Sequence, residues 1–315
     1  MSSLPKPPAR VAVATSADVP QLDRDGPLLL DALADAGAIP DVVVWDDEAV
    51  DWQSYDLVLV RSTWDYHLRR DEFLSWAQRC RATSNPAGVL RWNTDKRYLL
   101  DLRDSGVPIV PTVFTEPGQL LRVPSEWTGD VVVKPAVSAS AGDTGRYANG
   151  SPDAAALAAT LHADGRVVMA QPYQSGIETG GETSLIYLGG EFSHAVAKGP
   201  LLTRHGTRAA AGGDATPATN TSTSATFPQF AVADAALRAV STGSSELTYA
   251  RVDLIPGDDG QPLLLELELV EPGLFLRYAT AGRIAVFAEA VVRQARSRPA
   301  PNGSNGRSAR PGTSR

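Results

Sequence analysis

The sequence predicts an α/β protein in which several small sheets and their helices carry charged strand ends into one site. Short β-branched runs alternate with helical patterns through the first half of the chain, and lysines close otherwise apolar strands further on. Near the C-terminus, the segments ARVDLIP (250–256) and LLLELELVEP (263–272) read as strands that carry carboxylates where a purely structural strand would be apolar.

At 315 residues, 43% of them hydrophobic, the chain is long enough for two or three subdomains. Its apolar runs are far shorter than a membrane span, and residues 1–10 lead into the strand-like VAVAT, so we expect a soluble, cytosolic protein without a membrane partner. Cys80 is the only cysteine, which excludes an internal disulfide and a thiolate cluster. The histidines 67, 162, 194 and 205 lack ligand spacing, which argues against zinc. Six of the arginines lie in residues 292–315, where there are no acids; removing them from the net charge of -7 leaves -13 on residues 1–291. So acidic a body is a poor general binder of nucleic acid. The Pro-, Gly-, Ser- and Arg-rich residues 298–315 read as a disordered tail.

In chain order, VAVAT, DVVVW and DLVLVRSTW read as strands, with a helix from Pro27 to Ala36 stopped by Gly37. This is a parallel, Rossmann-like α/β unit over residues 1–92 without a GxGxxG loop. Its last strand delivers Arg61 through Tyr66 to a carboxyl end, where ligands of such sheets bind. There Arg61 is placed to pair a carboxylate and Asp65 an amino group of an amino-acid-like substrate, while packing between subdomains explains Trp64 and Tyr66 equally well. Next, NTDKRYLLDLRDSGVP predicts a helix N-capped by Thr94 and stopped by Gly106 and Pro108, with Lys96 in its first turn, where a bound anion would balance its charge against the helix dipole; the alternative is a lysine merely tolerated at an exposed helix start. DVVVKP ends a strand in Lys134, ahead of a small-residue loop from Ser138 to Gly145; a lysine so placed can hold phosphate oxygens, although a solvated strand-end lysine reads the same. VVMAQPYQ ends a further strand, TSLIYLGGEFSHAVAKGP is a hairpin around Gly189 and Gly190 with Lys198 at its end, and residues 203–224 are long enough for a lid. The turn PGDDGQ pairs the last two strands as a hairpin with Asp253 opposite Glu266 and with Glu266 and Glu268 on one face. Gathered carboxylates suit a hard divalent cation such as magnesium; the alternative is a solvated face with Arg251 in an ion pair.

The order of these parts, a lysine at a helix start, a lysine ending a strand with a small-residue loop, a strand into a QPY hinge, then RxD and ExE, resembles the ATP-grasp ligases over residues 93–278. Within that superfamily, SLIYLGGEFSHAVAKGP, RVDL and LELELVEPGLF look like the bacterial group that includes the cycloserine-forming O-ureidoserine cyclo-ligase; glutathione synthetase and D-alanine–D-alanine ligase are more distant. The resemblance implies an ATP-grasp region over 93–297, with a nucleotide-binding part near 112–175 and a metal and catalytic part near 176–297, after a pre-ATP-grasp domain. It implies that Lys96 and Lys134 bind phosphates, that Gln171, Pro172 and Tyr173 face adenine and that Glu178 faces ribose. It further implies that Asp253, Glu266 and Glu268 hold magnesium, or manganese in its place, and that Arg251, Lys198 and the lid residue Arg208 face the reacting groups. Relatives are commonly dimers. The chain departs from the pattern in carrying Ser184 where glutathione synthetase-like members have arginine, and in a glycine-poor loop, SASAG.

The activity so implied is ADP-forming ligation: a substrate carboxylate becomes an acylphosphate, which an amine then attacks. The same residues are compatible with intramolecular cyclisation of a ureido amino acid, and less well with an ATP-binding sensor without chemistry or a phosphotransferase that stops at the phosphorylated product. No serine–histidine or cysteine–histidine arrangement suggests a covalent enzyme nucleophile.

Overall fold

A computed structural model describes residues 7–202, 207–208, 220–240 and 247–297. The tail at 298–315 and most of the expected lid therefore lie outside the described residues, as does the side chain of Arg208.

Strands β1 (Ala9–Thr15), β2 (Ala38–Val44) and β3 (Leu57–Ser62) form a parallel sheet in the order β2-β1-β3. Parallel strands are buried on both faces, and every residue of β3 is buried. One face packs on helix α1 (Gly26–Asp35), which ends at a left-handed Gly37. The other packs on α2 (Arg70–Arg79), where Phe73 and Trp76 stack edgewise or tilted on Trp45, Trp52 and Tyr66.

Two short helices follow, α3 (Ala87–Asn93) and α4 (Tyr98–Asp104). This corrects the single capped helix expected over this stretch. Thr94 is the C-cap of α3, donating through Oγ1 to Arg91, and Asp95 turns back to pair with Arg97. Lys96 thus sits in the turn between two helices and not in a first helical turn, and its backbone N–H donates to Ala136. Gly106, at φ +85°, ends α4 as expected.

The second sheet is antiparallel, built from β4 (Val113–Thr115), β5 (Asp130–Pro135), β6 (Thr144–Ala148) and β7 (Val168–Pro172), with the two-residue β10 (Thr207–Arg208) on β6. Helix α5 (Pro152–Ala163), capped by Ser151, covers it through Ala154, Ala158 and Leu161. The third sheet, also antiparallel, runs β11-β9-β8-β12-β13, with β8 (Glu182–Leu188), β9 (Glu191–Lys198), β11 (Thr221–Thr223), β12 (Tyr249–Pro256) and β13 (Pro262–Glu268). Gly189 and Gly190 have φ of +62° and +86°, the backbone a two-residue turn between β8 and β9 requires. One face of this sheet packs on α4 and on α7 (Phe227–Arg238), whose start is fixed by a Thr226–Gln229 capping box. The C-terminal helix α8 (Ala281–Ser297) wedges between the first and third sheets through Ile284, Phe287 and Val291, so its apolar face is core. No helix among the described residues is long and apolar enough to cross a membrane.

Candidate active site

The three sheets meet around a cavity of about 320 Å³. Its floor is the β12–β13 hairpin in the expected register, Asp253 opposite Glu266 and Arg251 opposite Glu268. Alternation along each strand sends the intervening Val252, Leu254 and Leu267 into the core and leaves the charged set facing the cavity.

Lys134 is the penultimate residue of β5, and its Nζ lies 2.7 Å from Glu266 Oε1. Lys96 donates to the carbonyl and hydroxyl of Ser138, both at 3.1 Å, and stands 4.0 Å from the other Glu266 oxygen. Across the floor, the Arg251 guanidinium bridges Asp253, at 2.9 Å, and Glu268. Lys198 pairs with Glu182 and lies 3.6 Å from Asp253, to which Ser184 donates at 2.6 Å.

These contacts set the protonation states. Burial raises each carboxyl, and whether the neighbouring cations overcome it differs along the floor. Asp253, with Arg251, Lys198 and Ser184, is held at about 2, and Glu266, between the two lysines, also at about 2. Glu268 shares Arg251 with Asp253 and adjoins two other carboxylates, so burial wins and pushes it up to about 7. Glu182 is raised by burial despite Lys198.

At the far end, Gln171, Pro172 and Tyr173 line an apolar slot with Val132, Ile177 and Leu265. Gln171 is buried and donates to Thr112 Oγ1 at 2.9 Å. The loop between β5 and β6 closes one wall, with Ser140, Ala141 and Asp143 at φ of 52°, 55° and 52°. Left-handed backbone without glycine costs about 1–2 kcal/mol per residue, so the glycine-poor loop holds a glycine-like conformation under strain.

Three expected site residues do not line the cavity. Glu178 pairs with Arg146, at 2.9 Å, on the surface. Asp65 accepts from Trp45 Nε1 and pairs with Arg69 at 2.8 Å, so its charge is already matched inside the first unit. Arg61 is buried, stacks over Tyr249 and donates to the Pro272 carbonyl at 2.7 Å. Trp64 and Tyr66 do reach the cavity. The sequence reading missed Glu182 and Glu271, which also line it; a glutamate beside the glycine turn at 180–181 and one following the ExE pair were the available signals.

Among the described residues no three acidic, histidine or cysteine side chains converge on a preformed metal centre. Asp253, Glu266 and Glu268 are nonetheless an all-oxygen donor set on one wall of the cavity, which suits a hard divalent cation.

An ATP-grasp arrangement, two antiparallel sheets closing on a charged cavity behind a parallel α/β unit, is the class this fold defines, and the comparisons agree. The crystal structure of D-cycloserine synthetase DcsG superposes with a TM-score of 0.81 at 34% identity, over 91% of this chain and 99% of that one. D-alanine–D-alanine ligase from Bacillus anthracis has the same fold, with a TM-score of 0.64 at 13% identity over 92% of this chain and 98% of the other. Residues 11–87 match the family model described as D-cycloserine synthetase DcsG, N-terminal domain. The cycloserine biosynthesis protein DcsG of Streptomyces lavendulae is 35% identical over 295 residues, 89% of this chain and 97% of that protein. The chain therefore belongs to the DcsG family of ATP-grasp ligases, and is an ATP-dependent, carbon–nitrogen bond-forming enzyme.

Proposed function

We propose that the enzyme activates the carboxylate of a ureido amino acid with ATP and closes a ring on it, as the name of its Streptomyces lavendulae relative suggests. In the first step a carboxylate oxygen attacks the γ-phosphorus, forming the acylphosphate and releasing ADP. In the second, a nitrogen of the same molecule attacks the acyl carbon, phosphate leaves, and the nitrogen gives up its proton. Intermolecular ligation differs only in where that nitrogen resides, and the 35% identity to a cycloserine biosynthesis protein favours cyclisation.

The observation that carries the reading is one cavity holding Lys96 and Lys134 beside the Gln171–Tyr173 slot, with Arg251 and Lys198 across its floor. In this reading Lys96 and Lys134 hold phosphate oxygens, and Gln171, Pro172 and Tyr173 receive the base. Arg251 and Lys198 neutralise charge on the transferring phosphoryl group, and Arg208 serves the same end. Asp253, Glu266 and Glu268 would hold magnesium, which when bound neutralises phosphate charge. Orientation of two bound reactants supplies about 7–11 kcal/mol of the barrier, and a positioned donor such as Arg251 about 3 kcal/mol more. No covalent enzyme intermediate is required.

The test is ADP release from magnesium-ATP over a panel of amino acids, dipeptides and ureido amino acids, with mass analysis of the product and Glu268→Ala as control. Substrate-dependent release that disappears in the variant and yields a ring supports the proposal. An open-chain amide would replace cyclisation with ligation, and undiminished turnover by Glu268→Ala would remove the metal assignment.

A further inference from the structure

The carboxylates of the cavity differ in one respect. Asp253, Glu182, Glu266 and Glu268 each face a lysine or arginine, and Asp25 pairs with Arg277 at 2.9 Å. Asp23 is engaged as well, accepting from the Asp25 backbone N–H. Glu271 also lines the cavity, yet its carboxyl has no hydrogen bond or ion pair within the described residues. Its main chain, by contrast, is held at three successive carbonyls. Trp64 Nε1 donates to Glu271 O at 3.1 Å, Arg61 Nη2 to Pro272 O at 2.7 Å, and Arg251 Nη1 to Gly273 O at 3.2 Å. Two of these donors belong to the RSTW motif at the end of β3 and the third to the floor of the site.

Glu271 is half-buried, so its unpaired carboxyl, on a firmly held backbone, is open to a ligand in the cavity. Burial, and after it the Glu268 carboxylate, push Glu271 up to about 8, against the weaker pull of Lys96, Arg251 and Arg61. A cation beside it would reverse that balance. We infer that Glu271 receives the ammonium group of an amino-acid substrate, and that Arg61 and Trp64 act as positioning residues that fix it in the cavity through the carbonyls of residues 271 and 272. This deepens the proposed function and rests on its amino-acid substrate. It also gives Arg61 a role one step removed from the substrate contact expected of it.

The experiment measures binding, independent of turnover: calorimetric titration of the full chain, loaded with a non-hydrolysable ATP analogue and magnesium, by a serine-derived ureido amino acid and by its des-amino analogue. The wild type should prefer the amino acid by about 10–100-fold, the range of one charge-assisted hydrogen bond. Glu271→Gln, which keeps the shape, should bring the two ligands to equal affinity with the affinity for the nucleotide unchanged. Trp64→Phe, which keeps the cavity wall and removes one carbonyl donor, should shrink the preference without abolishing it. Equal binding of the two ligands by the wild type, or an unchanged preference in Glu271→Gln, overturns the inference and leaves the proposed function standing. Binding of neither ligand by the wild type overturns the proposed substrate and the inference with it.

Discussion

Lys198→Met separates what the buried charges do for the fold from what they do for chemistry. Lys198 pairs with Glu182 and lies 3.6 Å from Asp253, and the three side chains are only 10%, 8% and 4% exposed. Methionine preserves most of the stem and removes the charge. Breaking one side of a buried pair costs about 3–5 kcal/mol. Here the loss falls at the lower end, because Asp253 keeps Arg251 and Ser184 while Glu182, already raised by burial, takes up a proton. A carboxyl raised in the folded state stabilises below its unfolded value and ceases to as pH rises through the folded one, so the deficit of the single variant should be larger at pH 8 than at pH 5. Adding Glu182→Gln makes both positions neutral and should restore stability to within about 1 kcal/mol of the parent. Urea denaturation followed by tryptophan fluorescence reads the midpoints, provided the slopes agree, and ADP release is measured alongside. A single variant that loses less than about 1 kcal/mol, or a double variant no more stable than the single, would refute the pairing argument. Turnover regained in the double variant would remove Lys198 from the chemistry.

In the nucleotide-free protein, Glu268 and Glu271 are raised to about 7 and about 8 and therefore stabilise at acid pH, a contribution that fades as pH rises through those values. Asp253 and Glu266, both lowered to about 2, stabilise above the ordinary carboxylate range and lose that contribution as pH falls toward 2. Thermal melts across pH should thus show a maximum nearer pH 5 than pH 8, with a flatter alkaline limb in Glu271→Gln; stability climbing steadily from pH 5 to 8 would contradict this. Lys134→Met should raise the KM for ATP by about 10–100-fold and the KM for the amino acid much less, as read from initial rates of ADP release. Cys80, buried and pushed up to about 12, should resist iodoacetamide in the native protein and label only in urea, with activity intact until then.

Much of this site was legible because strand alternation is rigid. Alternation alone puts Arg251 with Asp253 on one face and Glu266 with Glu268 on one face; their register across the hairpin agrees only because a bulge between Asp253 and Leu254 shifts the pairing counted from the turn at 257–261 by one residue. That the first sheet is parallel was legible from its alternation of strands and helix, and the Gly189–Gly190 turn from local backbone sterics. Long-range partners were not. Thr94 has the chemistry of an N-cap, yet α3 reaches it from the other side; only the packing of Asn93 on β13, where it donates to Leu267 and accepts from Leu269, shows why that helix ends there. Asp65 and Arg61 have the chemistry of substrate ligands, but Asp65 accepts from Trp45, 20 residues before it, besides pairing with Arg69, and Arg61 donates to the Pro272 carbonyl, 211 residues away. Glu271 escaped notice for the converse reason: nothing in the local sequence marks it as the unpaired member of a charged set.

The arrangement of those pairs polarises the cavity. At the end beside Gln171 and Tyr173, the two lysines at 96 and 134 share one carboxylate, Glu266, so positive charge is left over. At the other end the two cations Arg251 and Lys198 face the three carboxyls of Glu182, Asp253 and Glu268, with Glu271 beyond them, so acids outnumber cations and Glu268 and Glu271 are raised to about 7 and about 8. Buried lysines with no acid nearby would shed their protons, and buried acids with no cation would keep theirs; pairing keeps Asp253 and Glu266 ionised without a ligand, whereas Glu268 and Glu271 hold protons that a bound cation would displace. A phosphate chain is attracted to the lysine end, whereas a divalent cation and an ammonium group are attracted to the carboxylate end. On the proposed function, the same imbalance would order the reactants, with phosphates against β5 and the amino-acid substrate toward the carbonyls held by Arg61 and Trp64.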